Sequence, residues 1–469
     1  MNHTAATQLS GLKEQIGGIH LLYNATLGPS RGQVDQKNFI LKVCGVCTDH
    51  AADQKLFVKL LEGWKWEVDR EERGRQYLQD LPPETLSVLM CASLQQCLNN
   101  VGGADAWNSL PAAKRKLQNE AHLKELYTHF GDQEFAKLSE EEQRAIDEML
   151  WKGCCMHKEL NSFKAGYVKM SKYWLDHDLL GPHKLMNRDN SAAFNLGNSA
   201  EKERVSEASQ AGGVKLTDLA GKLFRDKDDK KGQQDTYLNF FEKHLGFRTK
   251  FPDTSNTRFQ SHGDAACELI VHLDLYIEFM ETIRDNEGTR TFNHMEANVY
   301  EGLKDIPTQE ELAIMAVVSQ SVTRPYMRHV RNADSLGVNG LDLAPLHWNV
   351  LDFMHQIAED PNIILVETAT PESATFDKTP WDRPEVFYTV QSACSKYLTY
   401  FITGTAVAFE RFSAEFEKGG VLDRLTPSMH LQAFLMANND INEGALGRFR
   451  VISRRCPSLT EAHYNALIC

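Results

Sequence analysis

Apolar residues recur three and four apart along most of the chain, and that spacing predicts amphipathic helices. From Leu56 to about Lys152 the pattern is helical, most clearly over 86–98 and 120–130. Ser139-Glu140-Glu141-Glu142 reads as a helix start, with Glu142 placed to complete a capping box. Leu269, His272, Leu273, Tyr276, Met280 and Ile283 make one stripe within a helix over 265–284, and there His272 reads as a core histidine rather than a ligand. Further helices are expected over 295–304, 309–329 and 344–358, then an irregular stretch over 361–384, then a long helix over 385–416 stopped by Gly419-Gly420. Residues 1–35 are short on core and carry one weak helix.

Three places depart from the helical period. The run 38–47 is apolar and β-branched, which predicts a buried strand ending in an acid, Asp49. Residues 181–189 read as a turn and a short strand ending in a second acid, Asp189. The stretch 190–213, rich in Ser, Ala, Asn and Gly, reads as a loop or linker. These readings give four segments: 1–37, 38–200, 201–384 and 385–469.

In α/β folds chemistry gathers where strands end, so Asp49 is a candidate site residue. An N-cap for a helix over 51–72 is its plainer role. Near the end of the chain, Asn438-Asn439-Asp440 caps a new helix with Glu443 in its first turn. Glu443, Arg450 and Arg454 fall at offsets of seven and four and share a face. An acidic ligand for a divalent cation beside guanidinium groups suits metal-assisted phosphodiester chemistry. A capped surface helix with solvated arginines is the plainer reading. Cys154 and His157 are spaced to share one side of a turn, which suits either a metal or packing, and the remaining ligands of a zinc site have no evident place.

Composition narrows the field. With 469 residues, 42% hydrophobic and 25% charged, the chain has material for two or three domains with cores. A net charge of −13 confines any nucleic-acid contact to local patches. Ten scattered cysteines suit a reducing compartment. No apolar run approaches about 18 residues and the first residues lack a signal-peptide pattern, so a soluble protein of nucleus or cytoplasm is expected, with no membrane partner.

The motifs also stand in an informative order. Asp49 ends a strand; Cys154 and His157 precede Leu160-Asn161; Thr257-Arg258-Phe259-Gln260-Ser261 opens a helical block; Glu443 follows on a capped helix. This order resembles the catalytic region of hAT-like cut-and-paste transposases and the transposase-related proteins of mushroom-forming fungi. The resemblance implies an α/β fold, mostly helical by content, with a ribonuclease-H-like core interrupted by a large all-α insertion. It implies Mg²⁺ or Mn²⁺ held by carboxylates, with Asp49 as second acid, Glu443 as third and Asp189 as the alternative. Cys154, His157 and Asn161 would form the accessory motif, and Arg258, Arg448, Arg450 and Arg454 would meet the DNA backbone.

Departures qualify the implied activity. Phe259 stands where the family has Trp, and the stretch from Asp49 to Cys154 is longer than usual. If the opening Asn2-His3-Thr4 is the remnant of an acidic motif, Asn2 occupies the first acid's place, and a neutral amide supplies no charge to a two-metal site. The expectation is therefore a transposase-derived protein, incomplete or inactive. The alternatives are a non-catalytic DNA- or protein-binding scaffold and an unrelated helical interaction protein, either of them a candidate homo-oligomer.

Overall fold

A computed structural model describes residues 4–26, 34–225, 232–254, 260–286, 291–331, 338–366, 368–390, 395–460 and 463–464. It is 75% helical, with one small two-stranded parallel sheet, so the mostly helical expectation holds. The chain divides into two compact units, Met1–Lys152 with Arg424–Leu435, and Gly153–Asp423 with Met436–Cys469. No described helix is long and apolar enough to cross a membrane.

The first unit opens with α1 (Ala5–Thr26), α2 (Gln36–Lys42), β1 (Gly45–Thr48) and α3 (Ala52–Gln79). It continues with α4 (Pro83–Val101), α5 (Ala104–Ser109), α6 (Ala112–Phe135) and α7 (Glu140–Asp147), and reaches β2 (Leu150–Gly153) at the division. The strand expected over 38–47 is corrected: its first half is helix α2. Asp35 accepts the Lys37 N–H with its side chain and starts that helix, leaving only Gly45–Thr48 extended. Ile16, Ile40, Leu61, Trp64, Val68 and Met149 form the core, with Leu61, Trp64 and Val68 on one stripe of α3. The expected capping box is present, Ser139 accepting from the Glu142 N–H while Glu142 accepts from the Ser139 N–H.

Helices α3 and α6 meet where neither has a side chain. A Cβ on Gly74 would run into the Tyr127 carbonyl, and one on Gly131 into the Arg70 carbonyl. The Arg70 side chain is buried beside this crossing. It donates to Asp69 at 2.7 Å and to both Asp147 oxygens at 2.9 and 2.7 Å, and lies 3.3 Å from the centre of the Phe135 ring.

The second unit begins with α8 (Cys155–Asp176), α9 (Arg188–Leu196), α10 (Ser199–Ala208), α11 (Gly212–Arg225) and α12 (Gln234–Leu245). The loop expected over 190–213 is thus mostly helical. Asn187 and Asn198 accept first-turn N–H groups, so residues that suggest a loop act here as helix starters. The strand expected before Asp189 shrinks to a single bridge, Lys184 to Ala211, and Asp189 lies in the first turn of α9.

Next come α13 (Ser261–Val271) and α14 (Leu273–Asn286), which split the helix expected over 265–284 at a half-buried His272. After α15 (His294–Lys304), the helix expected over 309–329 is α16 (Ile306–Val318), a buried π turn (Ser319–Thr323) and α17 (Arg324–Arg331). Pro325 has no N–H to continue the α ladder, and the Arg324 N–H reaches back five residues to the Ser319 carbonyl.

Then follow α18 (Ala344–Glu359), α19 (Asn362–Leu365), α20 (Pro384–Val390) and α21 (Ser395–Phe412). The last two stand where one helix over 385–416 is expected. Finally α22 (Pro427–Gln432) belongs to the first unit, and α23 (Asp440–Arg455) to the second.

Gly131→Ala places a methyl group against the Arg70 carbonyl and is expected to lower stability by on the order of 3 kcal/mol, read by chemical denaturation. An unchanged midpoint would show that the α3–α6 approach is looser than described.

Candidate functional site

Helix α8 carries the Cys-x-x-His motif, and its sequence explains its position. Met156, Phe163, Met170, Tyr173 and Trp174 are buried, and Gly166 faces α21, where a Cβ would strike Thr405 and the Phe401 ring. Gly404 of α21 answers it, close against the Ala165 carbonyl. Phe163 and Phe401 pack edge to face with centroids 5.0 Å apart.

At the start of α8, Cys154 is fully buried and its thiol donates to Asn439 Oδ1 at 2.9 Å. The Cys155 N–H donates to the Ala437 carbonyl at 3.2 Å. Neighbouring bonds secure the same segment: Asn438 Nδ2 donates to the Val330 carbonyl at 2.7 Å, and Arg331 pairs with Asp440 at 2.9 Å. Asn439 is the N-cap residue of α23, so the motif is tied to the helix that carries Glu443. One turn along, Lys158 pairs with Glu415 and also donates to the Phe412 carbonyl, while Glu415 accepts the Gly153 N–H at 2.9 Å. His157 and Asn161, one turn apart on α8, are both half-buried.

The candidate acids are placed as follows. Asp49 belongs to the first unit, and its Oδ1 accepts the Ala51 N–H at 2.9 Å, closing the turn into α3. Asp189 and Glu443 belong to the second unit, each exposed in the first turn of its helix. The described partner of Glu443 is the Asn439 amide at 3.3 Å. No three His, Cys, Asp or Glu side chains among the described residues gather as a metal site. Arg448, Arg450 and Arg454 lie exposed on α23. Arg258 lies outside the described residues, as do Asn2 and Phe259.

Sequence reasoning missed the buried acids. Glu311 accepts from Trp174 Nε1 and from the Gly213 N–H, both at 2.9 Å. Burial pushes its carboxyl up to about 7, against the opposing pull of the Gly213, Trp174 and Tyr167 hydrogen bonds. Burial likewise raises Glu159 to about 8, opposed by the Thr323 hydroxyl. A single carboxylate in a helical stripe gives no sequence signal of this kind, because only tertiary packing removes its water. Set against protein-family profiles, curated proteins and solved structures, the chain matches none.

Two measurements check this geometry. Lys158→Met leaves Glu415 buried without its cation and is expected to cost roughly 3–5 kcal/mol in chemical denaturation, with a large part restored by adding Glu415→Leu. For Glu311 the native pKa of about 7 exceeds the ordinary 4.5, so its contribution is full below about 4.5 and is lost as pH rises through 7. The melting temperature of the native chain should therefore fall more steeply from pH 5 to 8 than that of Glu311→Gln.

Proposed function

We propose that the chain is a transposase-derived scaffold that holds DNA without cutting it. In this reading the two-stranded sheet is what remains of a ribonuclease-H-like core, and the arginines of α23 meet the phosphate backbone. The observation that carries it is the hydrogen bond from Cys154 to Asn439, across 285 residues of sequence. It joins the Cys-x-x-His turn to the residue that opens the Glu443 helix, the neighbourhood that the transposase resemblance implies for accessory motif and third acid. Arg448, Arg450 and Arg454 support the DNA-facing part, since they are exposed and none forms an ion pair among the described residues. The loss of cleavage is the expectation where Asn2 stands in the first acid's place, because a neutral amide supplies no charge to a two-metal site. Two-metal catalysis needs carboxylates that converge on shared ions.

The test is a nicking and strand-transfer assay on labelled duplex DNA with Mg²⁺ or Mn²⁺, run beside binding measured across salt concentrations. Expected are no metal-dependent cleavage by the native chain or by Glu443→Gln, and duplex binding that weakens with salt. Replacing Arg448, Arg450 and Arg454 by Ala should reduce the salt slope by about one for each phosphate that is no longer neutralised. Cleavage abolished by Glu443→Gln would overturn the reading in favour of an intact enzyme. Absence of binding would leave a helical protein-interaction module.

A further inference from the structure

A groove of about 510 Å³ runs between α8 and α21, lined by Lys164, Ala165, Val168, Lys169 and Lys172 on one side and Tyr400 on the other. The glycine contact between these helices sets it, since a Cβ added to Gly404 would come within 2.7 Å of the Lys169 Cβ. Lys164 and Lys172 are exposed, and Lys169 is half-buried. None of the three ammonium groups makes a hydrogen bond or ion pair among the described residues, whereas Lys158 of the same helix is paired with Glu415. Asp176 is the acid on this lining, one turn beyond Lys172. In a chain of net charge −13, three unpaired cations against one acid make a local positive strip.

The length of the strip and its apolar parts restrict what fits. Lys164 and Lys172 stand two turns apart on α8, which separates them by about 12 Å along the helix axis. A single phosphate or sulfate is too small to engage both ends. A linear polyanion meets all three cations. Between them lie Ala165 and Val168, the latter 54% exposed, with the Tyr400 ring across the groove. Tyr400 is held there by an edge-to-face contact with Tyr173, centroids 4.9 Å apart, and its hydroxyl lies 3.4 Å from His177 Nε2. Cations that track a backbone, with an aromatic ring beside them for a base to stack on, suit a nucleic-acid strand. A duplex keeps its base faces inside, so a single strand uses both features.

We propose that the α8–α21 groove binds single-stranded nucleic acid, with phosphates on Lys164, Lys169 and Lys172 and a base against Tyr400. This goes beyond the duplex contact proposed for α23 and does not depend on it.

The experiment uses the full chain with Arg448, Arg450 and Arg454 replaced by Ala, so that the arginines of α23 take no part. Anisotropy of a fluorescein-labelled oligothymidylate, followed across salt concentrations, should show saturable binding. Lys164→Gln, Lys169→Gln and Lys172→Gln together should weaken it at least about tenfold and lower the salt slope by about 2, some 0.7 for each phosphate. Tyr400→Leu, which keeps apolar bulk without a ring, should weaken it by about tenfold, and Tyr400→Phe should leave it unchanged. Melting temperature and circular dichroism accompany each variant. An abasic oligonucleotide and a blunt duplex of the same length, which need no change at Tyr400, should each bind at least about tenfold more weakly than the oligothymidylate. The proposal is overturned if the oligothymidylate fails to bind, if the lysine variant binds undiminished, or if the abasic strand or the duplex binds as well as the oligothymidylate. It is equally overturned if a folded Tyr400→Leu chain binds undiminished.

Discussion

The second unit depends on one close approach. Helices α8 and α21 come together because Gly166 and Gly404 offer each other bare backbone, and the large side chains on either side then interdigitate. What α8 carries inherits its place from that approach. Cys154 is brought to Asn439, and Lys158 to the carboxylate of Glu415 and the carbonyl of Phe412. The first unit uses the same device at Gly74 and Gly131, where the guanidinium of Arg70 fills the polar space beside the crossing. In both units a buried cation is tolerable because the backbones already fix its partners.

How much of this was legible in the chain varies with the range of the forces involved. Helices that bury one stripe announce themselves through spacing, and α3, α4, α6 and α18 fall where the spacing places them. Capping chemistry is equally local, so Ser139 and Glu142 could be read directly. The errors arose where one residue type serves two purposes. Asn, Ser and Gly over 190–213 suggest a loop by composition, yet Asn187 and Asn198 start helices. The apolar run 38–47 carries no period, and the cap at Asp35 decides that its first half coils. The break at His272 and the π turn before Pro325 depend on packing and on a missing N–H, which an apolar count does not register.

The site was legible in its parts and not in its assembly. Order along the chain singled out Cys154 and the Glu443 helix separately, and the hydrogen bond from Cys154 to Asn439 at the start of that helix had no signal in the sequence. Spacing alone says nothing about which carboxylates point at a common ion, and Asp189 and Glu443 occupy different helix starts. The polar centre nearest the motif is instead a neutralised pair, Lys158 with Glu415, which satisfies its own charges.

The π turn at Ser319–Thr323 sets a phase. One residue inserted into a helical ladder rotates everything after it by about 100°. Val330 and Arg331 lie beyond that insertion, and they hold Asn438 and Asp440, the residues that launch the terminal helix. Shortening the turn by one residue would regularise the ladder and still swing both anchors off their partners. The direction in which the terminal arginines face is thus encoded more than a hundred residues upstream, in a wide turn that never touches them.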